Sequence, residues 1–161
     1  MLVVYGYHWY EKFAVDVGMD LVHTRESDFK VVPYTGKPDF PNRVDERYQK
    51  PAFPNFWKFA KQFSPSYVVD LHSGVASRAE KLGPAIDVDF YTKRKKESIE
   101  PSFRERVTKF VYGNDFRTSL HFSPRFPYVP ASISQIVVEF LPPRIARKEA
   151  REFVLGLIRV L

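Results

Sequence analysis

Cysteine is absent from this 161-residue chain. That excludes disulfides and thiolate metal ligation, so any bound metal must be held by His, Asp or Glu. No apolar run is long enough to span a bilayer, and the opening MLVVYGYHWYEKF lacks a basic region before its short apolar stretch. No signal peptide and no membrane partner are therefore expected, and the cytoplasm is the default location. Internal repeats and low-complexity linkers are missing too, so residues 1–161 are expected to form a single domain. Asn and Gln are few, while prolines number 13 and charged residues reach 27%; that balance fits a thermophilic source. Hydrophobic residues make up 44%, enough for a real core, and the net charge is +6. A basic chain suits an anionic partner, either nucleic acid or small carboxylates and phosphates. The basic residues are scattered apart from TKRKKE, Thr92 to Glu97, which reads as a solvated turn.

What is present is an alternation of strand-like and helix-like segments. Leu2 to Tyr7 reads as a buried strand, Trp9 to Val17 as a short helix stopped by Gly18, and Met19 to Glu26 and Phe29 to Tyr34 as further strands. Thr35 to Pro54 is proline-rich and aperiodic, a long loop of the kind that usually serves a site. Asn55 to Phe63 is helical by pattern. Tyr67 to Gly74 and AIDVDFYT read as strands. Pro101 to Tyr112 is a helix opened by proline and a capping Ser102, and FRTSLHF an edge strand. SISQIVVEFLPP is a strong strand ended by two prolines. Arg144 to Leu161 closes the chain as an amphipathic helix with Ala150, Phe153, Val154, Leu157, Ile158 and Leu161 on one stripe. The expected architecture is α/β, with a mixed, mostly parallel sheet flanked by helices.

In such sheets ligands sit beyond the carboxyl ends of strands. His8, His72 and Glu139 each end an apolar run, in LVVYGYH, YVVDLH and SQIVVE. A catalytic zinc site often takes two His and one carboxylate and leaves a fourth position for water. His8 and Glu11, three residues apart, share a face if the chain turns helical directly after the first strand. His72 would complete the set, and Glu139 would be a general base that does not bind the metal. The bland alternatives are a hydrogen-bonded core His8, an Asp70 that anchors a turn, and a Glu139 in a structural ion pair with Arg43 or Arg125.

HWYE, then VVDLHSG, then IVVEF, in that order, resembles the zinc carboxypeptidase superfamily and in style its succinylglutamate desuccinylase and aspartoacylase branch. The resemblance implies a phosphorylase/hydrolase-like fold of the zinc exopeptidase type. It also implies Zn2+ held by His8, Glu11 and His72, Glu139 as general base, and amide hydrolysis as the activity. The family also holds its substrate carboxylate with an Asn-Arg pair, matched here by Asn42 and Arg43 in PDFPNRVDERY. Asp45 to Arg47 are similar to a string in the related N-formylglutamate amidohydrolases. Where the family carries glycine around its first motif, this chain has Trp9 and Tyr10. Arg43 can grip a carboxylate through two parallel hydrogen bonds. Arg117, His121 and Arg125 precede Glu139 and could border the site, with Arg125 a candidate substrate-binding group; His23 reads as structural.

The expected partner is thus a small carboxylate-bearing substrate or peptide, with self-association left open. The alternative is a non-catalytic basic α/β module that binds nucleic acid or an acidic partner through Lys93 to Lys96. The two differ in whether His8, Glu11 and His72 meet or a continuous basic face forms.

Overall fold

The computed structural model describes residues 1–6, 11–24, 28–34, 52–74, 83–91, 99–123 and 133–161. Six strands and four helices are seen within them. In chain order they are β1 (Leu2–Tyr5), α1 (Lys12–Val22), β2 (Lys30–Pro33), α2 (Ala52–Lys61) and β3 (Tyr67–Ser73). Then follow β4 (Ile86–Tyr91), α3 (Pro101–Tyr112), β5 (Thr118–Ser123), β6 (Ser134–Phe140) and α4 (Arg147–Val160). The strands form one sheet in the order β2-β1-β3-β6-β4-β5. All neighbours pair in parallel except β4 and β6, which are antiparallel. The expected mixed, mostly parallel α/β sheet flanked by helices is what the chain forms.

The reason lies in the pattern of the strands. β3 and β6 carry branched apolar residues at consecutive positions, so both of their faces ask for cover. Val3, Val69, Leu71, Ile136, Val138 and Phe140 lie in one core with Ala14, Val17 and Leu21 of α1, Val107 of α3 and Val154 of α4. On the opposite face Leu2, Val4 and Val68 lie against Phe56, Trp57 and Ala60 of α2. Helices thus flank both faces, and of the stripe predicted for α4 all but Leu161 is buried, with Leu155 buried as well. No helix among the described residues is long and apolar enough to cross a membrane.

At three places a boundary differs from expectation for a plain physical reason. Gly18 does not stop a helix; it lies inside α1. A Cβ there would run into the ring of Tyr5, so glycine is what lets α1 lie close on β1. Met19 to Val22 continue that helix rather than start a strand. Ala14, Val17, Gly18 and Leu21 are all buried, so the 3.6-residue period persists through the glycine. Ala52 to Pro54, expected to end the long loop, form the first turn of α2. Proline is tolerated there because the first helical N–H groups have no partner inside the helix. The rest of that loop, 35–51, lies outside the described residues.

Candidate active site

The single antiparallel pairing decides what the sheet brings together. β1, β2, β3 and β6 point their carboxyl ends to one edge, and β4 and β5 bring their starts to it. His72 is in register with Glu139, Glu139 with Asp87, and Asp87 with Ser119. Alternation along a strand puts side chains two apart on one face. One row of polar groups therefore crosses four strands at the edge where ligands sit. A second row below it holds Asp70, Val137, Asp89 and His121.

Glu11 reaches this edge from α1. It stands at the N-cap, before the helix begins, and its side chain makes no cap hydrogen bond. The helical face expected to carry His8 and Glu11 together therefore does not include Glu11. Position, not helical spacing, delivers it: the Ala14 N–H donates to Ser73 Oγ at 3.4 Å. Ser73 is buried at the end of β3. It takes up one of the amides that a helix start leaves unpaired and ties that start to the strand end carrying His72.

The result is a chain of four side chains. His72 Nδ1 lies 3.3 Å from Glu11 Oε1 and 3.1 Å from Oε2. His72 Nε2 lies 3.2 Å from Asp70 Oδ2, and Gln135 Nε2 donates to that same oxygen at 3.1 Å. Glu11, Asp70 and Gln135 are all buried, while the His72 side chain keeps 16% of its surface open. Burial by itself pushes the imidazole pKa down. The charge of Asp70, the bond to it, and then the bond and charge of Glu11 push it up and prevail, holding His72 well above its ordinary value. An imidazole between two carboxylates is a place that favours positive charge.

That charge can be a proton, and Glu11 and His72 supply two donors of the kind that also hold a metal ion. Asp70 Oδ1 is buried and lacks a hydrogen-bond donor, and Glu11 Oε2 is buried with only the His72 Nδ1 contact. Zinc bound tetrahedrally by an imidazole nitrogen and a carboxylate oxygen sets those donors about 3.4 Å apart. The observed 3.1 and 3.3 Å need only a small opening. Asp70 on the far nitrogen matches the carboxylate that usually orients a metal-binding histidine. Among the described residues, no three His, Asp or Glu side chains converge to hold an ion. Glu11 and His72 meet; the third expected ligand, His8, lies outside the described residues.

Glu139 sits beside His72 in register. A Cβ on Gly74 would come within 3.3 Å of Glu139 Oε1, so the glycine leaves room next to this carboxylate. Glu139 and Asp87 also act on Asp89. Burial first, then the Asp87 charge, and less strongly that of Glu139, raise the Asp89 pKa; His121 and a bond from Tyr91 oppose them. Tyr91 is pushed up to about 12, chiefly by burial and the charge of Asp89. His121 Nε2 lies 3.5 Å from Asp87 Oδ1, two strands from Glu139 on the same face. Arg117 precedes β5, where its carbonyl accepts the Ala85 N–H. His23 ends α1 at the C-cap and is exposed. Asn42, Arg43, Asp45 to Arg47, Lys93 to Lys96 and Arg125 lie outside the described residues.

The turn anchor expected of Asp70 is not what forms: it sits mid-strand in β3, with its Oδ2 3.2 Å from His72 Nε2. Gln135 was missed. Its signal was an amide at the first of three alternate positions, Gln135, Val137 and Glu139, in an otherwise apolar strand.

No protein-family model matches the chain, and no curated protein matches it. Solved structures do match. The chain is similar to a point variant of pyrrolidone carboxyl peptidase from the hyperthermophile Pyrococcus furiosus, with 12% identity, a TM-score of 0.53, and coverage of 99% of this chain and 95% of that one. It is similar to a proposed metallopeptidase from Shewanella amazonensis, with 9% identity, a TM-score of 0.52, and coverage of 99% and 74%. It is similar to an N-acetylmuramoyl-L-alanine amidase of Nostoc punctiforme, with 16% identity, a TM-score of 0.50, and coverage of 99% and 94%. At such identities the likeness establishes a shared α/β fold.

Proposed function

We propose that this protein is a zinc-dependent amide hydrolase acting on a small carboxylate-bearing acylated amino acid or peptide, in the manner of the succinylglutamate desuccinylase and aspartoacylase branch. The observation that carries the reading is the meeting of Glu11 with His72 Nδ1 at 3.1 Å, with Glu139 in register beside His72. Three solved structures of the same fold lend support, by name, to amide-bond hydrolysis in general: a carboxyl peptidase, a proposed metallopeptidase and an amidase.

His72 Nδ1 and Glu11, with His8, would hold the ion. Zinc bound there would supply Lewis acidity, polarising a carbonyl and making water acidic near neutral pH. Glu139 takes the proton from the attacking water. As the C–N bond breaks, it returns that proton to the leaving nitrogen, so the amide becomes a carboxylic acid and an amine. Asp70 keeps the imidazole aimed. Arg43, with Asn42 and Arg125, would orient the substrate carboxylate through paired N–H donors.

The test combines metal content with turnover. Protein purified without chelators should carry one zinc per chain and hydrolyse a panel of N-acylated amino acids. His72→Ala should lose both while its circular dichroism is kept. Equal zinc in wild type and His72→Ala would overturn the assignment.

A further inference from the structure

Gln135 and Asp70 form a buried polar pair in a place that sheet packing would fill with apolar side chains. In register, Asp70 has Val4 on one side and Val137 on the other. Gln135 faces Val68 across β3 and Tyr91 across β4. Both are almost fully buried, Asp70 at 4% and Gln135 at 6% exposure. As a stabilising device the pair is poor: Asp70 Oδ1 is buried with no hydrogen-bond donor. A buried carboxylate left half satisfied costs more than an apolar replacement of similar size. What the pair does achieve is geometric. The Gln135 amide from β6 and His72 Nε2 from β3 converge on one oxygen, Asp70 Oδ2, at 3.1 and 3.2 Å. That oxygen is held from two strands at once, so the carboxylate cannot rotate without losing both partners.

We propose that Gln135 is a positioning residue: through Asp70 it fixes His72 in the one tautomer and ring orientation that turn the Nδ1 lone pair toward Glu11 and a bound cation. A neutral imidazole carries its proton on one nitrogen, chosen by the partner of the other. A carboxylate can only accept, so Asp70 selects Nε2–H, and a cation seated between Nδ1 and Glu11 takes the place of the second proton. Gln135 is complementary to that choice. Its NH2 donates to the carboxylate, which keeps Asp70 an acceptor facing the imidazole. This inference rests on zinc being held by His72 and Glu11.

Two variants test it, each measured as the purified full chain by competition for Zn2+ against a chelator. The second readout is the nitrogen-detected Nε2–H signal of His72 in the zinc-loaded protein. In Asp70→Asn the side-chain amide can donate to Nε2, which favours the wrong tautomer; zinc affinity should fall about 10- to 100-fold and the Nε2–H signal should weaken or vanish. Gln135→Met keeps length and removes the donor; affinity should fall about 10-fold, at the low end of that range, with faster solvent exchange of the Nε2 proton. A merely structural pair would lower the unfolding midpoint and move neither readout in the folded variants. Affinities within twofold of wild type in whichever variant folds, with the Nε2–H signal unchanged, overturn the positioning role alone. Zinc uptake absent in wild type, or unaltered in His72→Ala, overturns the zinc reading and this inference with it.

Discussion

The two faces of β6 make the instructive comparison. Ile136, Val138 and Phe140 point to one side, each buried, under α1, α3 and α4. Gln135, Val137 and Glu139 point to the other, in line with Asp70 and His72 on one neighbour and Asp87, Asp89 and Tyr91 on the other. The strand is identical in backbone geometry on both sides. One face is wholly apolar; the other carries polar and charged groups in line across three strands. Burial of polar and charged groups is costly unless they are paired. The orphaned oxygen on Asp70 therefore sets the second face apart as the one we propose to be the working face.

The largest effect should come from the working face. Glu139→Gln preserves shape and removes the proton acceptor, so turnover on any N-acylated substrate should drop by about 10²- to 10⁴-fold. Zinc content and the urea midpoint should be nearly unchanged. Wild-type turnover in that variant would remove Glu139 from the chemistry and blur the contrast between the faces.

Phe140→Ala, one residue away on the apolar face, should do the reverse. Phe140 is fully buried and meets Phe13 edge-on with ring centroids 5.7 Å apart. Truncation should cost about 3–5 kcal/mol of stability, read from urea unfolding. A loss below about 1 kcal/mol would mean that this face is not the stabilising one.

A smaller effect should appear in the pH dependence of stability. The Asp89 carboxyl has its pKa raised from 3.8, by burial first and then by the charge of Asp87. A folded-state pKa above the unfolded one means that the native state holds the proton more tightly. The stabilisation is complete below the unfolded value and is lost as pH rises through the raised one. Asp89→Asn should therefore flatten the acid side of the stability curve and gain relative stability toward neutral pH. Unfolding midpoints that run parallel with pH in the two proteins would show that Asp89 is not strained by its neighbours.

The smallest change should come from a charge pair belonging to neither face. Arg147 makes two hydrogen bonds to Asp20, tying α4 to α1. That bonding lowers the Asp20 pKa, yet Arg147 is half-exposed. Exposed pairs are screened by water and salt, so Arg147→Ala should lower the thermal unfolding midpoint only slightly. A cost comparable to Phe140→Ala would contradict the view that burial separates the faces.

Much of this was legible in the residues. Consecutive branched apolar positions identified β3 and β6, and the stripe from Ala150 to Ile158 identified α4. His72 and Glu139 at the ends of those strands were legible because an ionisable group after an apolar run is conspicuous. Two features were not. Gly18 looked like a stop because its local signal is the same whether a helix ends or a strand packs close. Gln135 looked unremarkable because its partner, Asp70, is 65 residues away along the chain.

By itself, the sequence determined the kind of layers the chain builds, since period and apolar content decide which surfaces must be buried. It also determined that any metal site would use nitrogen and oxygen donors, since there is no thiol. The order of the strands was decided only by tertiary structure, because pairing depends on contacts between distant segments. The reversal of β4 against β6 is the clearest case. It puts Asp87 beside Glu139 and extends the polar row to Ser119. The meeting of Glu11 with His72 was likewise a tertiary outcome. It follows from Ser73 fastening the start of α1 to the end of β3, a contact between residues too far apart in sequence for any local pattern to encode.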